Sequence, residues 1–213
     1  MKKLLLLTIL FLFTIGHIKA QDVYFGPKVG INLSHFIFTG DDVDVLKEMH
    51  KMKLSSHFGG FAEVVFSDYL SVQPELLFSI KGARFRDDAD DDFKSAYVLK
   101  YISLPIVAKY YVTKEVSIEA GPQVAYLLSA KNIETSDVMT SNIGSEAASV
   151  DIKDRMQNFD FGVTAGVGYL TKAGFYISAR YNFGILNAKT SEEDVDTVFH
   201  NGTAQLSFGF SFQ

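Results

Sequence analysis

The chain of 213 residues has no cysteine and no tryptophan, only four prolines, and a single long apolar run. The missing cysteine excludes disulfide scaffolds, thiol nucleophiles, zinc-thiolate sites and iron-sulfur clusters together, so any metal site has to be built from His and carboxylates. The apolar run, residues 4–15, follows Lys2 and Lys3 and precedes a short polar stretch that ends on the small residue Ala20. About 12 residues are too few to cross a bilayer as a helix, so residues 1–20 read as a secretory signal peptide and residues 21–213 as the exported domain. Losing Lys2, Lys3 and Lys19 makes the formal charge of -5 three units more negative. That argues against binding nucleic acid through a general positive field.

Hydrophobic residues make up 47% of the chain, with no further helix-length span, and they are arranged at period two. Val23, Phe25, Pro27, Val29, Ile31 and Leu33 alternate with small or polar residues such as Lys28, Gly30 and Asn32. The same two-faced pattern recurs from Leu70 to Lys81, from Ile102 to Tyr110, from Val116 to Tyr126, from Asn158 to Tyr169, from Phe175 to Ile185 and from Thr203 to Phe212, and less cleanly from His57 to Phe66. This predicts eight strands, most of them long enough to cross a bilayer when tilted.

Short turns fall at Ser67 and Asp68, at Thr113 and Lys114, and around Thr171 to Gly174. The other connections, near residues 35–55, 84–96, 129–157 and 186–201, are long and acid-rich. Short turns at one end and long loops at the other are the signature of an all-β, antiparallel, up-and-down transmembrane barrel, with its turns and termini expected in the periplasm and its loops outside. Residues 44–52 are expected to form a short helix in the first loop, with Val45, Leu46 and Met49 on one face.

A membrane barrel turns its apolar face outwards and a soluble one turns it inwards. The polar face here carries Lys28, Glu63, Glu75, Lys81, Lys109, Glu119, Asp160 and Arg180, four cations and four anions. A narrow, low-dielectric lumen needs such a balance, because an unpaired buried charge costs several kcal/mol. Aromatics gather beside the short turns (Phe66, Tyr69, Tyr110, Tyr111, Tyr169, Phe175, Tyr176) and near the chain ends (Tyr24, Phe25, Phe210, Phe212), as an interfacial girdle would. Lys109 and Glu119 flank the turn at Lys114 symmetrically, so they are expected to pair inside the lumen.

The stretch Gln73-Pro74-Glu75-Leu76-Leu77-Phe78-Ser79 with Lys81-Gly82, the later Tyr101-Ile102-Ser103-Leu104-Pro105 ending in Lys109-Tyr110-Tyr111, the Gly121-Pro122 strand start and the Gly26 to Asn32 strand resemble the PorT-type outer membrane beta-barrel family of Bacteroidetes. The resemblance implies an outer membrane location and assembly by the barrel-insertion machinery. It leaves the biochemical role open, with a part in protein secretion as one reading. Outer-membrane barrels usually end on an aromatic residue; here Phe210 and the penultimate Phe212 are the candidate assembly signal.

No chemistry of catalysis stands out. His17, His35, His50, His57 and His200, read as lying in the signal peptide or in and beside long loops, show no metal-ligand spacing, and no nucleophile elbow marks a serine hydrolase. The acidic run Asp87, Asp88, Asp90, Asp91 and Asp92 lacks the mid-loop glycine and terminal Glu of an EF-hand and reads as a solvated loop tip. The expectation is a non-enzymatic barrel without a cofactor, its lumen plugged by charge pairs and its loops touching a surface ligand or partner. The rivals are a small pore for polar solutes and a secreted lipocalin-like carrier, the latter disfavoured by the missing Trp.

Overall fold

The computed structural model describes residues 22–39, 50–86, 93–136, 148–186 and 198–212. Ten strands follow one another: β1 (Asp22–Thr39), β2 (His50–Ser67), β3 (Leu70–Lys81), β4 (Ala83–Arg86), β5 (Phe93–Tyr111), β6 (Val116–Ser136), β7 (Ala148–Asp151), β8 (Phe159–Leu170), β9 (Phe175–Gly184) and β10 (Val198–Phe210), with a 3₁₀ turn at Lys153–Arg155 before β8. β4 continues β3 beyond Gly82, whose φ of 132° suits glycine alone, and both pair with β2 and β5. β7 continues β8 across the 3₁₀ turn, and both pair with β6. Ten strands therefore make eight walls. β1 pairs antiparallel with β10, which closes the barrel as predicted.

The two faces are inverted relative to a soluble barrel. Phe25 and Ile118 point outwards at 60% and 55% exposure, whereas Lys28 and Lys109 are buried inside at 1% and 0%. An apolar exterior around a polar lumen is the arrangement a bilayer stabilises, and it is incompatible with a soluble lipocalin-like carrier.

The walls run further than hydropathy indicated. β1 and β10 stay paired up to Thr39 and Val198, and β5 and β6 up to Phe93 and Ser136. In these extensions the sequence no longer alternates while the backbone ladder continues. Of the expected helix, His50, Lys51 and Met52 are strand residues paired with Phe85, Arg84 and Ala83. Residues 44–49 lie outside the described residues, as do the signal peptide and the acidic run at Asp87 to Asp92. At the upper part of β6 a bulge at Leu128 shifts the pairing, so Tyr101 faces Leu127 while Lys100 faces Ser129.

Each short turn is held by a hydroxyl: Ser67 Oγ accepts from the amides of Tyr69 and Leu70, Thr113 Oγ1 from those of Glu115 and Val116, and Thr171 Oγ1 from that of Phe175. Beside the turns Phe25, Tyr69, Tyr110, Tyr169, Phe175 and Phe212 are exposed on the outer face. Tyr111 and Tyr176 correct the girdle assignment. Both have lumen parity, and their hydroxyls donate to Glu63 and Glu119.

All four prolines lie in walls, and each interrupts a ladder. Pairing skips Ala62/Pro74 between β2 and β3, Glu75/Pro105 between β3 and β5, and Ile106/Pro122 between β5 and β6, and the β1–β10 ladder of consecutive pairs begins only after Pro27. A closed barrel has no free edge on which a residue without an N–H can sit harmlessly.

Candidate functional site

The turn-end half of the lumen holds one connected charge network. Glu75 of β3 is its centre: it accepts from Lys28 Nζ at 2.9 and 3.0 Å, from Arg180 Nη1 at 2.7 Å and from Gln73 Nε2 at 2.6 Å. Arg180 of β9 turns its Nε to Glu119 Oε2 at 2.6 Å, and Glu119 also accepts from the hydroxyls of Tyr176 at 2.6 Å and Ser117 at 3.1 Å. Lys109 of β5 donates to Glu63 at 3.0 Å and to Gln73 at 3.1 Å, and Glu63 further accepts from Ser71 and Tyr111. Three cations and three carboxylates are thus joined, with Lys109 also 4.5 Å from the centre of the Tyr176 ring. Such mutual hydrogen bonding is what makes buried charge tolerable.

Side chains from six walls meet here, and glycine makes room for them. Gly166 of β8 lies in register with both Glu119 and Arg180, and a Cβ there would come within 2.8 Å of Arg180 Cγ. Lys28 has Gly59 and Gly209 as its two register partners, so nothing bulky flanks its reach to Glu75. Lys109 and Glu119 are register partners inside the lumen, 4.0 Å apart, and each has a closer partner elsewhere, Glu63 for the first and Arg180 for the second.

Lys81 and Asp160 stand apart from these six, nearer the loop end. Their 3.5 Å contact is supplemented by Asn201 Nδ2 donating to Asp160 at 3.0 Å and by the Tyr101 ring 5.2 Å from Lys81 Nζ. Between the two levels His57 bonds Asn32 at 2.7 Å and Ser207 at 2.9 Å, and Gln205 donates to Asn32 at 2.8 Å. His57 is therefore a buried wall residue, not a loop one. His35 and His200 likewise sit in β1 and β10, and His50 opens β2. Lys53 is a further buried cation, donating to the carbonyl of Tyr97 at 3.2 Å. Its parity, two and four residues from Ser55 and His57, is the signal by which it was readable.

Above Asp160 the lumen turns apolar. Phe36, Ala83, Leu99, Tyr101, Ala125, Leu127 and Ala130 from the walls close on Ile152 and Met156, which flank the 3₁₀ turn, with Tyr97 packed against them. The turn is tied to the adjacent wall β6 by Ile152 N donating to Ala130 O and Leu127 N donating to Asn158 O. Nothing in the sequence marked this plug, because Ile152 and Met156 lie in a segment without periodicity. Among the described residues no group of three His, Asp or Glu side chains is placed to hold a metal ion.

The model of the outer membrane protein beta-barrel domain family matches residues 19–189. Among solved structures, the chain is similar to the Ail attachment invasion locus protein of Yersinia pestis in complex with the heparin analogue sucrose octasulfate, at 17% identity over 90% of this chain and 100% of that one, TM-score 0.48. It is similar to Neisserial surface protein A at 13% identity over 87% and 97%, TM-score 0.45, and to OprG of Pseudomonas aeruginosa at 12% over 92% and 97%, TM-score 0.42. No curated protein sequence matches the chain.

Proposed function

Given that the chain belongs to the outer membrane protein beta-barrel domain family and so resides in the outer membrane, we propose that it acts as a sealed barrel whose loop end makes contacts at the cell surface, without catalysis. The observation that carries this reading is the filling of the lumen from both directions. The charge network occupies the turn end and the apolar cluster around Ile152 and Met156 occupies the loop end. An eight-walled barrel has an interior just wide enough for its own side chains, so the rim and loops are what it offers to a ligand or partner protein.

Within this reading residues 1–20 are the signal peptide, residues 21–213 the barrel, and the short turns and both termini face the periplasm. Phe210 and Phe212 serve as the signal read by the barrel-insertion machinery, in keeping with their packing at the turn end, where the Phe212 ring lies 5.7 Å from Phe25 and 5.2 Å from Phe210. The Pro-containing wall motifs at Pro27, Pro74, Pro105 and Pro122 support a PorT-type member of the family, and a partner in protein secretion is one form the surface contact takes. Planar-bilayer recording on the purified protein tests the sealed lumen: no steady conductance is expected, and a stable open channel refutes it in favour of a pore for polar solutes. Capture of a partner by the intact barrel, lost on shortening one loop, tests the contact role.

A further inference from the structure

On three adjacent walls the outward apolar run ends, at the loop end, on a basic residue. Along β3 and β4 the outward residues Leu76, Phe78 and Ile80 lead to Arg84. Along β5, Ile106, Leu104 and Ile102 lead to Lys100, and along β6, Val124, Tyr126 and Leu128 lead to Lys131. All three cations are exposed, and none forms a salt bridge among the described residues. Register places them together. Lys100 faces Ile80 and Ser129 while Lys131 faces Val98, two residues from Lys100, which makes the two lysines diagonal neighbours at about 7–8 Å. Arg84, paired with Ala96, lies about 13 Å further along the same strand pair. Among the described residues one acid borders the sector, Asp151, the register partner of Lys131.

Away from this sector the rim differs: β1 ends its outward run on Leu33, His35 and Ile37 and β9 on Phe183 and Ile185, whereas β2, beside the sector, adds exposed Lys51, the register partner of Arg84. In a chain of net charge -5, cations without a salt bridge among the described residues are thus gathered in one sector, above exposed Tyr126 and Leu128. Lys100 and Lys131, next above the apolar residues, stand at the depth of lipid phosphates, with Arg84 further towards the loop end; a cation held there gains from an anionic headgroup while the apolar residues beneath meet the acyl chains.

We propose that Arg84, Lys100 and Lys131 form a docking sector for the phosphate-bearing headgroup of an anionic membrane lipid, its acyl chains lying along Ile102, Tyr126 and Leu128. The inference requires only that the barrel sits in a bilayer and does not depend on the surface-contact role. The test is native mass spectrometry of the detergent-purified protein titrated with phosphatidylglycerol or phosphatidylcholine. Wild type is expected to retain phosphatidylglycerol in preference. The triple variant R84Q/K100Q/K131Q is expected to lose roughly fivefold in retention per cation removed, with K100Q and K131Q alone each showing a partial loss. The turn-end control K114Q/K172Q should match wild type, and heat-modifiable migration should confirm that every variant compared is folded. Unchanged retention in the triple and single variants, or an equal loss in the turn-end control, overturns the proposal. So does full displacement of the lipid by inorganic phosphate, which would mark a general anion site.

Discussion

Arg180 on β9 reaches Glu119 on β6 at 2.6 Å across the intervening strand β8, and the residue of β8 in register with both is Gly166. The pair is therefore a cross-lumen clamp that skips a wall, made possible by the absence of a side chain on that wall. Gly166→Val places branched carbon against Arg180 and the Ala179 carbonyl. The expected result is a loss of about 3–5 kcal/mol, the scale of a broken buried ion pair, measured by urea unfolding in lipid vesicles with gel migration as readout.

Glu75 and Lys81 should differ sharply in cost. Glu75 neutralises Lys28 and shares Arg180 with Glu119, so Glu75→Gln strands buried Lys28, removes one of the two carboxylates on Arg180, and is expected to cost about 3–5 kcal/mol. Lys81 has one ion pair among the described residues, the 3.5 Å contact to Asp160, which keeps Asn201 as a donor, and Lys81→Met is expected to cost about 1–2 kcal/mol. The two variants are compared in the same unfolding assay; equal losses would contradict the hierarchy.

Two seals in series predict that opening one is not enough. Glu119→Ala with Arg180→Ala loosens the turn-end network but leaves the apolar cluster around Ile152 and Met156. Planar-bilayer recordings are expected to stay silent for that double variant and for Ile152→Ser with Met156→Ser, and to show conductance only when both pairs are changed together.

Pro74 leaves the β2–β3 ladder without a pair at Ala62. Pro74→Ala supplies an N–H opposite Ala62, and the new amide should be protected in hydrogen exchange to the level of Phe78. A fast-exchanging amide there would mean that the gap has a cause other than the missing donor.

Much of this architecture was legible in one dimension. Alternation located all eight walls and assigned Lys28, Glu63, Glu75, Lys109, Glu119 and Arg180 to one face, because a side-chain period of two leaves no freedom once one residue of a strand is oriented. It also held Tyr176 on that face, where the grouping of aromatics beside the turns had drawn Tyr111 and Tyr176 into the girdle by proximity. His57 and Lys53 escaped because β2 is the least regular wall, with Ser55, Ser56, Gly59 and Gly60 blurring the contrast between faces. The full strand lengths escaped because the sequence does not alternate where the backbone ladder runs on to Thr39, Phe93, Ser136 and Val198.

What the sequence by itself determined is the face each side chain takes, since hydrocarbon outside and a packed polar lumen inside force every wall to alternate. Which charges meet was decided only by the closed barrel. Lys109 and Glu119 are neighbours across a turn, yet their closest partners, Glu63 and Arg180, lie on walls that are not adjacent to their own. Adjacent walls fix register through backbone bonds, whereas partners across the lumen are set by closure and by where glycine leaves a path.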